Sequence, residues 1–320
     1  MQRSDFLFEE DYASRVSKEV LPALMAVRKE WYYHTADGAE LFVVRYDARP
    51  ARGSAVILHG FGESAEKYRE LCYYFLKSGL TVLIFEQRGH GRSTRTVPTG
   101  LTHIRHFSQY VEDFDALMAD VAEALPAPRY LYAHSMGGAV AALYLERGGA
   151  HFEKAVLSSP MIAMQYKRVP RPLGYAACAA MGVLGLGKRR FIGMREAPLP
   201  AEERVTLSGA DSEARFLAYR AVKEQEPLLR ASRPTVAWVR EALGCTREIL
   251  KKGAPEQIAI PVRVYAAEHE VLVQEGPQRA FAARVPQGGF FPVAGVKHEI
   301  YFTTDDKLHP YLRGILDFFS

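Results

Sequence analysis

The sequence predicts an α/β protein with a mostly parallel central sheet, helices on both faces of that sheet, and one helical insertion. Three observations carry this prediction. Short continuous apolar runs alternate with amphipathic helical segments, the pattern of strand–helix–strand units whose strands are buried on both faces. Each run ends in a cluster of small or polar residues, the place where parallel sheets position their ligands. The alternation lapses once, between residues 161 and 232, and then resumes.

Val16, Val20, Leu24 and Val27 recur at helical spacing and predict an N-terminal helix over 12–30. The runs 30–35 and 41–46 flank Ala36-Asp37-Gly38, a turn sequence, and predict a hairpin. Strands are expected at 55–58, 81–85, 130–132 and 155–157, with helices at 66–77, 107–125 and 139–146. Beyond the lapse come a helix over 234–251, a strand over 262–266, a helix over 277–284, a strand over 289–293 and a last helix over 310–319. The core therefore takes residues 1–160 and 233–320. Residues 161–232, with Pro170, Pro172, a glycine-rich apolar stretch and a charged helical run over 211–224, read as a cap.

Composition excludes several classes. A chain of 320 residues has ample capacity for a core. Its net charge of +4, from 41 basic and 37 acidic residues, comes without a basic tail or zinc-finger spacing, so nucleic acid is not an expected partner. Cys72, Cys178 and Cys245 are odd in number, widely spaced and free of any C-x-x-C. That argues against a disulfide framework or zinc ribbon and for a reducing, cytoplasmic setting. The N-terminus carries Asp5, Glu9, Glu10 and Asp11 and no long apolar core, so no signal peptide is expected. No apolar run reaches the roughly 18 residues of a spanning helix.

Chemistry enters at the strand ends. Ala133-His134-Ser135-Met136-Gly137-Gly138 follows the fifth expected strand and opens a helix. In this strand–turn–helix context a serine sits on a strained turn with its Oγ above the sheet, which makes Ser135 the candidate nucleophile. Small residues two before and two after the serine let strand and helix approach closely. Gly137 supplies one, and Ala133 stands where glycine is usual. The helix that starts here points its N–H groups and positive dipole end toward developing negative charge. His59-Gly60-Phe61-Gly62 ends the strand 55–58, where the loop donates one N–H to an oxyanion. The expected donors are the backbone N–H groups of Phe61 and Met136. His134 reads as packing, and His59 as orienting its own loop.

The general base comes last in the chain order of this arrangement. His298, in the loop after strand 289–293, is the candidate. His309, ahead of Pro310 at the expected start of the last helix, reads as a surface residue. The acid belongs after strand 262–266, where Glu268, Glu270 and Glu275 lie. Glu270 is preferred because it precedes the apolar Leu272-Val273, and Glu268 is the alternative. No acid follows Ser158-Ser159-Pro160, the other place for this group. Such a triad calls for no metal and no cofactor.

These residues resemble the monoacylglycerol lipase and lysophospholipase group of α/β-hydrolases, and within it the bacterial lysophospholipases of the L2 type. The likeness spans nearly the whole chain. It rests on His59-Gly60-Phe61-Gly62-Glu63 with Tyr68; on Gln87-Arg88-Gly89-His90-Gly91-Arg92-Ser93; and on the Ser135 segment with Ser159-Pro160-Met161. It continues in Trp238-Val239-Arg240-Glu241, in Ala267-Glu268-His269-Glu270, and in His298-Glu299-Ile300. The resemblance implies an α/β-hydrolase fold, aligns the acid with Glu270, and makes 161–232 a cap. It also implies hydrolysis of a carboxylic ester, on a lysophospholipid or monoacylglycerol, through an acyl-enzyme on Ser135. Two positions depart from the common pattern: Ala133 for glycine, and Glu270 where relatives often carry Asp. A general carboxylesterase and an aminopeptidase acting on N-terminal proline are alternatives on the same fold. A non-catalytic binding protein is a third, against which the complete triad argues.

The expected cap has a charge pattern of its own. Lys167, Arg168, Arg171, Lys188, Arg189, Arg190 and Arg195 flank fifteen uncharged residues, Leu173 to Gly187, with no acid between Met161 and Arg195. The stretch is too short and glycine-rich to span a bilayer. It reads either as an interfacial contact with anionic lipid, placing the protein peripherally at the inner face of the membrane, or as a doorway for an acyl chain. The plainer reading is a buried cap helix between solvated charges.

Overall fold

The structure is a computed structural model that describes residues 5–149, 151–165, 169–192 and 198–320. Lys167, Arg168 and Arg195 lie outside the described residues. The N-terminal helix, α1, runs through Tyr12–Arg15, a π-helical turn at Val16–Val20, and Leu21–Met25. It is shorter than the expected 12–30. The aromatic run Trp31-Tyr32-Tyr33 favours strand, and it draws the chain into β1 (Arg28–His34), paired antiparallel with β2 (Glu40–Tyr46).

The remaining strands are β3 (Gly53–Leu58), β4 (Leu80–Phe85), β5 (Arg129–His134), β6 (Lys154–Ser158), β7 (Val262–Ala267) and β8 (Gly288–Val293). They form one eight-stranded sheet in the order β1-β2-β4-β3-β5-β6-β7-β8. β2 is antiparallel to both of its neighbours, and the strands from β4 to β8 pair in parallel. This is the open, mostly parallel sheet of the α/β-hydrolase fold.

Alternation along the strands divides the core in two. Val56, Leu58, Leu131, Ala133, Leu157 and Val264 face α3 (Ser108–Val121), α4 (Met136–Glu146), α7 (Val236–Ile249) and α8 (Glu275–Arg284). Ala55, Ile57, Tyr130, Tyr132 and Val156 face α1, α2 (Arg69–Lys77) and α9 (Asp305–Phe318). Burying both faces offsets the entropy of ordering the strands and explains why their sequences read as unbroken apolar runs.

The last helix starts five residues earlier than its sequence suggests. Pro310 sits inside α9 rather than at its start and forgoes the bond to Asp306. His309 is therefore buried, not a surface residue. Its Nε2 lies 2.9 Å from the Leu7 carbonyl, and its ring packs on Phe6 and Phe8.

Between β6 and α7, residues 161–232 contribute no strand to the main sheet among the described residues. Their two principal helices are α5 (Arg171–Val183) and α6 (Glu213–Gln225). A two-residue bridge ties Arg233–Pro234, at the end of this stretch, to Leu101–Thr102.

Candidate active site

Register assembles the site. Leu58 pairs with Ala133, Ala133 with Leu157, and Leu157 with Val264, so the loops after β3, β5, β6 and β7 leave the sheet along one edge. Ser135 occupies the turn between β5 and α4 with φ 52° and ψ −117°, a left-handed backbone that a serine rarely adopts. The surrounding packing over-determines it. The Ser135 N–H donates to the Ser158 carbonyl at 3.1 Å, and its carbonyl accepts from Met161 N–H at 2.8 Å. A Cβ on Gly137 would lie 2.4 Å from the Leu58 carbonyl oxygen, and one on Gly138 2.5 Å from Pro160 Cβ. These glycines let a helix buried nearly all round, α4, press against the ends of β3 and β6.

The structure brings Ser135, His298 and Glu270 together. Ser135 Oγ lies 2.8 Å from His298 Nε2, and His298 Nδ1 lies 2.6 Å from Glu270 Oε2. A carboxylate only accepts, so Nδ1 carries the ring proton in the neutral imidazole and Nε2 is left to accept from the serine hydroxyl. The other carboxylate oxygen, Oε1, accepts the N–H groups of Val271 and Leu272 at 2.9 and 2.8 Å. Burial alone pushes the Glu270 carboxyl up. The bond and charge of His298, with the Leu272 and Val273 amides, outweigh burial and hold it below its ordinary value. Glu268 is turned elsewhere: it is exposed and accepts the Gly295 N–H at 2.7 Å. Glu275 begins α8 and pairs with Arg279.

Among the described residues, neither the Phe61 N–H nor the Met136 N–H donates to another protein group. The loop that carries Phe61 is held from both sides. His59 Nε2 accepts the Gln87 N–H at 2.9 Å, which leaves Nδ1 to donate to the Gly60 carbonyl at 2.7 Å. Gly60 N–H donates to Glu63 Oε2 at 2.6 Å, and Gly62 takes φ 73°. His59 thus orients its loop, as its position suggests.

Beneath this loop lies a buried polar platform that sequence reasoning did not assign a role. Glu63 also accepts from Tyr68 and Tyr301 hydroxyls at 2.6 and 2.7 Å and from Lys67 Nζ at 2.7 Å. Burial pushes the Glu63 carboxyl up, yet the charge of Lys67, with the hydrogen bonds from Lys67 and Tyr68, holds it well below its usual value. Lys67 also reaches Glu299, beside the candidate base, at 2.8 Å. The His134 ring lies 4.8 Å from that of His298, and burial pushes its pKa down to about 3, so it stands there neutral. The only signal in the sequence was Glu63 and Tyr68 within the motif that carries the resemblance. Lys67 is four residues from Glu63, while Tyr301 meets it only through folding.

A serine, an imidazole and a carboxylate in hydrogen-bonded series at the edge of a mostly parallel sheet define a serine-hydrolase type of site. The family model described as "Serine aminopeptidase, S33" matches residues 49–305. The chain belongs to this family of α/β-hydrolases. Over its whole length it is 30% identical to lysophospholipase L2 of Escherichia coli strain K12, with 95% of that chain covered. It is 26% identical to the monoacylglycerol lipase of Mycolicibacterium smegmatis, over 80% of this chain and 85% of that one. The solved structure of a soluble variant of Saccharomyces cerevisiae monoglyceride lipase superposes with a TM-score of 0.69 at 18% identity, covering 91% and 95% of the two chains. The resemblance read from the motifs therefore stands, and the last likeness speaks to fold alone.

Proposed function

We propose that the protein is a serine hydrolase that cleaves carboxylic esters of single-chain lipids, lysophospholipids or monoacylglycerols, through an acyl-enzyme on Ser135. The Ser135–His298–Glu270 series, at 2.8 and 2.6 Å, carries this reading. His298 Nε2 takes the hydroxyl proton as Oγ attacks the ester carbonyl. Glu270 holds the ring tautomer and stabilises the imidazolium without taking its proton. The Phe61 and Met136 amides receive the oxyanion, each contributing about 3 kcal/mol to the transition state. His298 then protonates the leaving alcohol. Water, activated by the same imidazole, releases the fatty acid.

Residues 161–232 act in this reading as the cap that receives the acyl chain. α5 buries only Cys178, so it is not the fully buried cap helix of the plainer sequence reading. Leu173, Val183 and Leu184 are 62, 89 and 74% exposed and lie close in sequence to Lys188 and Arg189. No helix among the described residues is long and apolar enough to cross a membrane. An exposed apolar face beside cations suits an interfacial contact with anionic lipid. Sedimentation with anionic vesicles tests it, and failure to bind sinks the membrane contact.

Fluorophosphonate labelling tests the hydrolase. The adduct is expected on Ser135, and Ser135→Ala is expected to lower kcat by at least about 10⁴-fold with the fold intact. An adduct elsewhere overturns the assignment. The family description favours one second reading, a peptidase. A chain-length series of p-nitrophenyl esters beside a prolyl amide separates the two, and preference for the amide refutes the lipid reading.

A further inference from the structure

A cavity of about 850 Å³ lies between the insertion and the loop before α3. Its walls carry Lys188, Arg189, Arg190, Arg230 and Arg233, and no carboxylate among the described residues lines it. Several of this protein's less exposed arginines are matched to acids. Arg215 pairs with Glu70 and Asp305, Arg92 with Glu66, Glu86 and Glu226, and Arg88 with Asp37 and Asp113. Arg95, Arg129 and Arg263 donate instead to backbone carbonyls, and Arg230 and Arg233 have no acid partner among the described residues. Both are half-buried, and Arg230 Nε donates to the Lys223 carbonyl at 3.4 Å. Among the described residues Arg233 Nε, like Arg95 Nε, is buried and donates no hydrogen bond. A guanidinium edge left without an acceptor costs stability that a bound anion offsets.

The cavity's cationic wall adjoins the oxyanion loop. Ser232, between Arg230 and Arg233, places its backbone nitrogen 3.8 Å from where a Gly62 Cβ would stand, and Gly62 follows Phe61. Ser232 Oγ is fastened to Thr102 Oγ1 at 2.6 Å, which fixes this run against the loop. Consecutive Cα atoms are about 3.8 Å apart, so Arg233 and Arg230 stand one and two residue lengths from that contact. Two planar guanidinium forks in a cavity of this volume suit a phosphate diester with its attached head group. The phosphate of a lysophospholipid is only a few bonds from its ester.

We propose that this cavity is a head-group subsite that takes the phosphodiester of a lysophospholipid while the ester lies at Ser135. The inference rests on the ester-hydrolase reading and narrows it: the preferred substrate bears a phosphate, and a monoacylglycerol leaves the subsite unused. Hydrolysis itself proceeds as described above, with no new covalent step.

The test uses the full chain and two monomeric substrates below their micelle-forming concentrations, 1-octanoyl-glycerophosphoethanolamine and 1-octanoylglycerol. Arg230→Ala and Arg233→Ala are each expected to lower kcat/KM on the phosphodiester about tenfold or more, chiefly through KM, and to change the neutral ester by less than about twofold. Exposed Arg189→Ala, which puts no fold at risk, is expected to shift the same ratio in the same direction by a smaller factor. Raising the salt concentration weakens turnover of the phosphodiester more than that of the glycerol ester. Glycerophosphoethanolamine inhibits competitively in the wild type and more weakly in Arg233→Ala. Equal losses on both substrates overturn the subsite, as does inhibition by inorganic phosphate as strong as that by glycerophosphoethanolamine. Loss of vesicle binding with unaltered kinetics on the monomeric phosphodiester also overturns it and assigns these arginines to the membrane. If the wild type turns over neither substrate and Ser135 takes no fluorophosphonate, the ester-hydrolase reading itself fails.

Discussion

The two halves of the insertion meet the rest of the molecule in opposite ways. The second half is anchored by buried charge. Ser212 caps α6, and Arg215, wholly buried, makes a two-pronged bond to Glu70 at 2.8 and 3.1 Å and reaches Asp305 at 2.9 Å. The same half grips the loop of the candidate base: the Glu299 N–H donates to the Gly209 carbonyl, and the Lys297 N–H to Asp211, both at 2.8 Å. The first half leans on α7 through small residues, with Gly174 facing Leu243 and Gly244 facing Tyr175, and leaves large apolar side chains in solvent. One half thus acts as part of the scaffold that positions His298. The other leaves an apolar surface exposed to solvent. A buried ion pair fixes geometry because removing either partner leaves an unpaired charge, whereas an apolar helix face resting on glycines is held only by contact.

The largest expected effect breaks the anchored half. Arg215→Ala leaves Glu70 buried without its partner and is expected to cost about 3–5 kcal/mol, read from urea unfolding. A cost below about 1 kcal/mol would erase the distinction between the halves.

A second measurement probes the platform to which that half is tied. The folded-state pKa of His134 is pushed down to about 3 by burial, against about 6.5 in an unfolded chain. Between those values the unfolded chain binds a proton that the folded one refuses, so this histidine makes stability fall as pH falls. Glu86, pushed up to about 7 by burial, acts in the opposite direction over part of that range. The contribution of His134 is therefore read as a difference. On going from pH 6.5 to 4.5, His134→Asn is expected to lose less stability than the wild type. Parallel curves would remove His134 from the account.

The smallest effect belongs to the first half. Val183→Ser and Leu184→Ser are expected to change folding stability by no more than about 0.5 kcal/mol. If α5 meets lipid, each weakens vesicle binding about tenfold, since burying such a side chain contributes about 1.5–3 kcal/mol. A large loss of stability would show that this face is packed rather than presented.

Much of the fold was legible because its signals are local. Continuous apolar runs gave the strands, and only their ends moved by a residue or two. Glycine and proline marked most stops. Where local signals compete, they misled. Apolar spacing continued a helix into β1, and Pro310 looked like a helix start, because the aromatic strand run and the packing of Phe6 and Phe8 on His309 act through tertiary contact.

The sequence by itself determined the chemical parts of this protein: a serine on a strand–turn–helix, a glycine-flanked loop, a late histidine, and acids after the seventh strand. These are legible because each follows from the covalent order of strand, turn and helix. Loop position and the resemblance favoured Glu270 over Glu268, and tertiary structure alone supplied the contact with the base. Glu268 and Glu270 are two residues apart on one loop, and only the folded path turns Glu270 toward His298 and Glu268 toward Gly295. It also decided the Glu63 platform, the Arg215 anchor and the unmatched Arg230 and Arg233. Whether a charge finds a partner depends on residues brought close by folding from distant parts of the chain, and no spacing in the sequence encodes that distance.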